Sequence, residues 1–369
     1  MNIAFRADSS VQIGTGHVMR CLALADELTR QGHECRFICR EHEGHLGDLI
    51  ASKGHSLTLL PPPSGNEPDA RGSNSDNYEL WLGVSWQEDA RQTLDALKTW
   101  EPDWLVVDHY ALDAEWERVF ANAVGNIMVI DDLANRPHWC AMLLDQNLGR
   151  EASDYDGLLP EGCKRLIGPR YALLRPEFSE LRERSLQRRQ HPEIKRILIS
   201  LGGIDRTNVT GLVLEALAES ALPSNIELDI VMGAAAPYLD EVRKQAARLP
   251  FKATVSVNVQ YMAERMCLAD LSFGAAGGTS WERCCLGLPT VLVVLAENQI
   301  AGAKALAISG AATTINDIES LKAAFVSIVV DLFDCSCRLK QMSEAAAGIT
   351  DGRGSIRVVE VMNKDGGRD

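Results

Sequence analysis

Two α/β domains, each built around a parallel sheet, are what this 369-residue sequence predicts. The chain is too long for one ordinary core. Short β-rich runs alternate with amphipathic helical segments along most of it, the pattern of parallel sheets with helical crossovers. A heavily charged stretch, residues 180–192, interrupts that alternation near the middle. The boundaries read from these features are 1–180 for the first domain, 181–193 for a charged connector, and 194–345 for the second domain. Residues 346–369 then form a C-terminal extension ending in a polar tail.

The elements follow in order. Residues 3–7 read as the first strand, and a helix follows from about Gly16 to Arg30. Val18, Cys21, Leu22, Ala25 and Leu28 form its apolar stripe, and Gly32 suits its C-terminal cap. Residues 35–39, 57–60, 105–107 and 127–130 continue the strand series. The polar segment 61–76, opening Pro61-Pro62-Pro63, has the length of a functional or mobile loop such as a lid. In the second domain, strands are expected at 194–200, 226–232, 253–257, 271–273, 290–295 and 312–315. Ligands of such sheets bind beyond the carboxyl ends of the strands, and with two domains also in the cleft between them.

Composition narrows the function classes. At 46% hydrophobic and 24% charged residues the chain is globular in usage. With 37 basic and 51 acidic residues it carries a formal charge of −14, which disfavours non-specific binding to nucleic acid or acidic membranes. No apolar stretch is long enough to span a bilayer, and the N-terminus lacks a secretory pattern, so a cytoplasmic location is expected. The ten cysteines fall mostly in apolar segments without repeated Cys-x-x-Cys pairs and read as buried, reduced thiols.

The chemistry-bearing residues cluster after strands. The first loop runs Asp8-Ser9-Ser10-Val11-Gln12-Ile13-Gly14-Thr15-Gly16-His17. Gly14 and Gly16 allow close backbone approach to a ligand, and the helix beyond offers unsatisfied N–H groups to an anion. A dinucleotide fingerprint would need a third glycine where Met19 stands. His17 lies in the first helical turn, where the positive helix end favours a neutral imidazole able to act as a general base. The alternative is a histidine that only stabilises the loop.

Asp108-His109-Tyr110 and Asp131-Asp132 end strands of the same domain and read either as substrate contacts or as helix caps. The second domain has Ser200-Leu201-Gly202-Gly203 before one helix and Gly277-Gly278-Thr279-Ser280 before another, both suited to a diphosphate without a metal. Glu282, in the first turn of the latter helix, could accept hydrogen bonds from a ribose. Asn298-Gln299 could read a sugar or phosphate.

Taken in order, these motifs resemble a family. Arg6-Ala7-Asp8-Ser9-Ser10 through Gly14-Thr15-Gly16-His17-Val18-Met19-Arg20 is similar to the opening of the hydrolases that make pseudaminic acid precursors. The resemblance continues through Val107-Asp108-His109-Tyr110, Asp131-Asp132, Ala152-Ser153-Asp154-Tyr155-Asp156-Gly157 and Tyr171-Ala172-Leu173-Leu174-Arg175-Pro176-Glu177-Phe178. It then takes in Leu201-Gly202-Gly203, residues 274–282 and Asn298-Gln299. It implies two Rossmann-like domains facing a cleft, the GT-B type, related to the UDP-N-acetylglucosamine transferases of peptidoglycan synthesis. It also implies cleavage by water of a UDP-linked 2,4-diacetamido-2,4,6-trideoxy sugar, with His17 as base and UDP on the carboxyl-terminal domain.

Asn147 and Arg175 join the substrate-contact candidates, and no cofactor or metal is called for. The expected partners are a UDP-sugar and water. The fold also admits a glycosyltransferase with a hydroxyl acceptor, or a nucleotide-sugar-binding protein without turnover. The segment 61–76 and the C-terminal extension depart from the family pattern.

Overall fold

The structure is a computed structural model that describes residues 1–63, 78–220, 222–316 and 321–365. Most of the polar segment expected as a loop or lid, residues 64–77, lies outside the described residues. The chain forms two compact units, Met1–Leu173 with Gly354–Asp369, and Leu174–Arg353.

These units redraw the boundaries read from sequence. Residues 181–188 of the charged connector are the C-terminal part of a helix, Pro176–Arg188, whose Phe178 and Ser185 are buried. That helix belongs to the second unit. The C-terminal extension does not stand apart either. Its last helix, Gly354–Asp365, buries Val358, Val359 and Met362 completely in the first unit's core beside Ile3, Val18 and Leu22. Charge marked the first segment and a polar tail the second, but packing assigns both.

Among the described residues the first unit holds seven strands: β1 (Asn2–Ala7), β2 (Glu34–Arg40), β3 (Ser56–Leu60), β4 (Trp104–Asp108), β5 (Asn126–Ile130), β6 (Met142–Asp145) and β7 (Lys164–Ile167). They lie in the order β3-β2-β1-β4-β5-β6-β7 with every neighbouring pair parallel. Alternate residues of a strand face opposite sides. Ile3, Phe5 and Val106 therefore pack under the Gly16–Arg30 helix, while Ala4, Leu105 and Val107 pack with Trp116 and Phe120. The strands β6 and β7 were not among those expected; each has only four residues, too few to show a period.

The second unit holds β8 (Arg196–Ser200), β9 (Glu227–Met232), β10 (Lys252–Val257), β11 (Leu271–Ala275), β12 (Thr290–Val293) and β13 (Ala312–Ile315). The order is β10-β9-β8-β11-β12-β13, again parallel throughout. In each sheet the strand order reverses at one place, between β1 and β4 and between β8 and β11. The crevice beyond such a reversal is the ligand site of open α/β sheets. The loop carrying His17 follows β1, and the two glycine-rich turns follow β8 and β11.

Among the described residues no helix is long and apolar enough to cross a membrane. All ten cysteines are free thiols, but Cys337 is exposed, unlike the buried set expected.

Candidate active site

The loop after β1 is held from below by buried charge. Arg6, inside the strand and fully buried, donates to Asp8 Oδ1 at 2.6 Å and Oδ2 at 2.9 Å, and to Asp89 Oδ2 at 2.6 Å. Arg40 also donates to Asp89, at 2.7 Å. Burial alone would raise the pKa of the Asp8 carboxyl, but neighbouring Arg6 outweighs it and holds that pKa well below the usual range. His109, buried beside this cluster, has its pKa pushed down to about 3 by burial.

Above this base the chain turns at Gly14, whose φ of +83° suits glycine, and its N–H donates to Ser10 O at 2.9 Å. Gly14 thus shapes the turn, and the neighbouring Gly16 begins the helix. His17 follows in the first helical turn, 8% exposed.

His17 Nδ1 lies 2.6 Å from Asp108 Oδ1, at the carboxyl end of β4. Arg20, three residues on and so on the same helix face, donates to both oxygens of Asp108 at 2.6 and 2.7 Å. Burial opposes the Asp108 charge, yet Arg20 and His17 pull the Asp108 pKa well below the ordinary carboxylate range. An ionised carboxylate only accepts, so the proton of a neutral His17 sits on Nδ1 and the lone pair on Nε2. Arg20 Nη2 also approaches Nδ1, at 3.4 Å, a marginal distance against the 2.6 Å bond to Asp108. Asp108, expected to touch substrate, is fully buried with its oxygens on His17 and Arg20. Its place is to orient the imidazole.

Arg20 also donates to Asp132 Oδ2 at 2.7 Å, which accepts from the Tyr110 hydroxyl at the same distance. Asn147 Nδ2 donates to Asp132 Oδ1 at 3.2 Å. Five of the expected residues, His17, Asp108, Tyr110, Asp132 and Asn147, therefore join one network through Arg20. Asp131 does not. It is fully buried, accepts from the amides of Leu133 and Ala134 and from Arg136, and braces its own loop. Arg20 was missed, although its spacing from His17 on a helix was a usable signal.

In the second unit the two glycine-rich turns differ. After β8, Gly202 has φ +101°, and Gly203 O accepts from Gly233 N at 3.0 Å. The helix beyond, Val209–Glu219, does not offer open N–H groups as expected. Asp205 accepts from Val209 N at 2.9 Å and Thr210 N at 2.8 Å, so a carboxylate already occupies the anion position.

After β11, the Gly277–Gly278 turn leads to the helix Thr279–Cys285, which has no side-chain cap. Beneath it Arg283 is buried and donates to Ala275 O at 2.6 Å and to Ser280 Oγ at 3.1 Å. A Cβ at position 274 would fall 2.1 Å from Arg283 Nη1, so Gly274 makes the space for that guanidinium. Ser280, expected at the ligand, is buried on Arg283, while Thr279 is exposed. Glu282 Oε1 lies 3.8 Å from Arg175 Nη2, which brings those two expected residues together. Burial raises the Glu282 pKa to about 7 against the pull of Arg175 and Arg283. Gln299 Oε1 accepts from Leu295 N at 3.1 Å and so closes its own turn, while the Asn298 side chain lies outside the described residues.

Fold and site together define a class. Two parallel-sheet, Rossmann-like α/β domains of this kind are the GT-B fold of glycosyltransferases. MurG of Acinetobacter baumannii matches it with a TM-score of 0.68 over 98% of this chain and 99% of that one, at 16% identity. Residues 201–355 match the glycosyltransferase family 28 C-terminal domain. The UDP-2,4-diacetamido-2,4,6-trideoxy-beta-L-altropyranose hydrolase of Campylobacter jejuni is 29% identical over 246 residues, 67% of this chain and 74% of that protein. The UDP-N-acetylglucosamine–N-acetylmuramyl-(pentapeptide) pyrophosphoryl-undecaprenol N-acetylglucosamine transferase of Porphyromonas gingivalis is 24% identical over 365 residues, 94% of this chain and 91% of that one.

Proposed function

We propose that this protein hydrolyses a UDP-linked 2,4-diacetamido-2,4,6-trideoxy sugar to UDP and free sugar, with inversion at the anomeric carbon. The observation that carries the reading is the His17–Asp108 pair, which leaves Nε2 of a neutral imidazole able to accept a proton. Likeness to the Campylobacter hydrolase supports the substrate class. Water attacks the anomeric carbon while Nε2 takes its proton. The bond from that carbon to the diphosphate oxygen breaks, and UDP leaves with the electron pair. The second unit holds UDP through the Gly277–Gly278 turn and the uncapped helix start above buried Arg283, with Glu282 accepting from the ribose. One displacement needs no covalent sugar–enzyme intermediate.

The test is incubation with the UDP-sugar and no acceptor in oxygen-18 water. Multiple turnovers of free UDP with label in the sugar are expected. Label in UDP would place the attack at phosphorus and overturn the reading. A second reading, transfer of the sugar to a hydroxyl acceptor, is favoured by the match to the Porphyromonas transferase along 94% of this chain. UDP release that appears only when an acceptor is added would select it. UDP-sugar binding without any UDP release would instead indicate a binding protein.

A further inference from the structure

The sequence set apart the polar segment before residue 78 as a departure from the family pattern, and the function above gives it no task. Where the described chain resumes, it brings the Trp81 ring to His17 and the Tyr78 ring to Trp81 and Tyr110. Tyr78 and the short helix Glu79–Leu82 carry them. The helix is anchored, since Leu82 is 2% exposed in the core with Ile38 and Leu60.

The Trp81 ring stands 6.3 Å from the His17 imidazole, edge to face at 76°, and the Tyr110 ring stands 4.6 Å from it at 84°. Trp81 and Tyr110 lie nearly parallel, at 25° and 5.7 Å. Tyr78 closes against both, at 4.8 and 5.0 Å. The unit's core aromatics, Phe5 with Phe37 and Trp116 with Phe120, are wholly buried, whereas Tyr78, Trp81 and Tyr110 are half-buried. The Tyr110 hydroxyl is spent on Asp132, so its contribution to a ligand is its ring.

We propose that Trp81, Tyr78 and the ring of Tyr110 form the wall on which the pyranose of the nucleotide sugar stacks beside His17. The inference rests on the hydrolase reading for its substrate class and extends it to the residues that hold the sugar. One side of a pyranose presents several C–H bonds, whose partial positive charge suits the negative face of an aromatic ring. A rigid aromatic wall supplies contact area at low entropic cost.

Calorimetry on the full chain tests this, in a His17→Asn background so that turnover does not consume the ligand. The probes are UDP and the UDP-linked 2,4-diacetamido-2,4,6-trideoxy sugar. The parent should bind the trideoxy UDP-sugar about tenfold more tightly than UDP. Trp81→Ala should erase most of that ratio with UDP affinity changed less than about twofold, Tyr78→Ala should reduce it in part, and Trp81→Phe should retain it. Equal ratios in the parent, Trp81→Ala and Tyr78→Ala would overturn the proposal, as would a parent that gains nothing from the sugar. Release of UDP by the unmutated protein is measured separately, so a failure of hydrolysis is distinguishable from a failure of sugar stacking.

Discussion

Asp108 holds the Nδ1 proton of His17 while Arg20 saturates both of its oxygens, so the three side chains act as one unit at the residue scale. His17→Ala should lower turnover by about a hundredfold or more, with UDP affinity nearly unchanged, as steady-state kinetics and calorimetry would show. Asp108→Asn tests orientation separately. An amide can turn its N–H₂ toward Nδ1 and put the proton on Nε2, so a comparable loss of kcat at unaltered KM is expected.

Glu282 gives a pH signature. Its carboxyl titrates near 4.5 when exposed and near 7 in the folded chain, because burial disfavours the charge. Above the lower value the unfolded state releases a proton that the folded state keeps, so stability falls as pH rises to about 7 and then levels. Urea unfolding should show that fall in the parent and not in Glu282→Gln. If the ionised carboxylate binds ribose, UDP affinity should rise through the same upper value in the parent alone.

At the scale of the element, the two turns after β8 and β11 read alike in sequence, glycines before a helix, and differ in what meets the helix start. Asp205 caps the Val209–Glu219 helix, whereas the Thr279–Cys285 helix has no such cap. Local sequence could not separate them, because a carboxylate four residues before a helix is only a candidate cap until the loop folds it back. Its backbone at φ +39° does so here. Asp205→Ala should cost about 0.5–2 kcal/mol, as typical for a lost N-cap, measured by urea unfolding. The Gly16–Arg30 helix was legible to the residue, since its apolar stripe, loop glycines and closing Gly32 all agree.

For the molecule as a whole, the chain leaves its first unit at Leu173 and returns to it at Gly354. Val358, Val359 and Met362 are fully buried there. Each such side chain contributes about 1.5–3 kcal/mol, so truncation after Arg353 should cost on the order of 5 kcal/mol. Thermal unfolding and limited proteolysis should then show the first unit destabilised, with cleavage concentrated in residues 1–173. Retention of the full-length melting behaviour would contradict this packing account.

What the sequence determined by itself was periodic or motif-borne. Parallel α/β architecture, most strands, the helix bearing His17 and the glycine-rich turns were all legible. Those signals are local, because strand period, helix stripe and turn chemistry each act over a few residues. Tertiary structure alone decided which candidates gather around His17 and which brace the fold. Asp108 and Asp131 both end strands, but Arg20 and His17 claim one while loop amides and Arg136 claim the other. Trp81 comes to His17, and Tyr78 to Trp81, after a segment with no period to read in the sequence. A buried charge takes its role from partners distant in sequence, and desolvation makes that pairing obligatory.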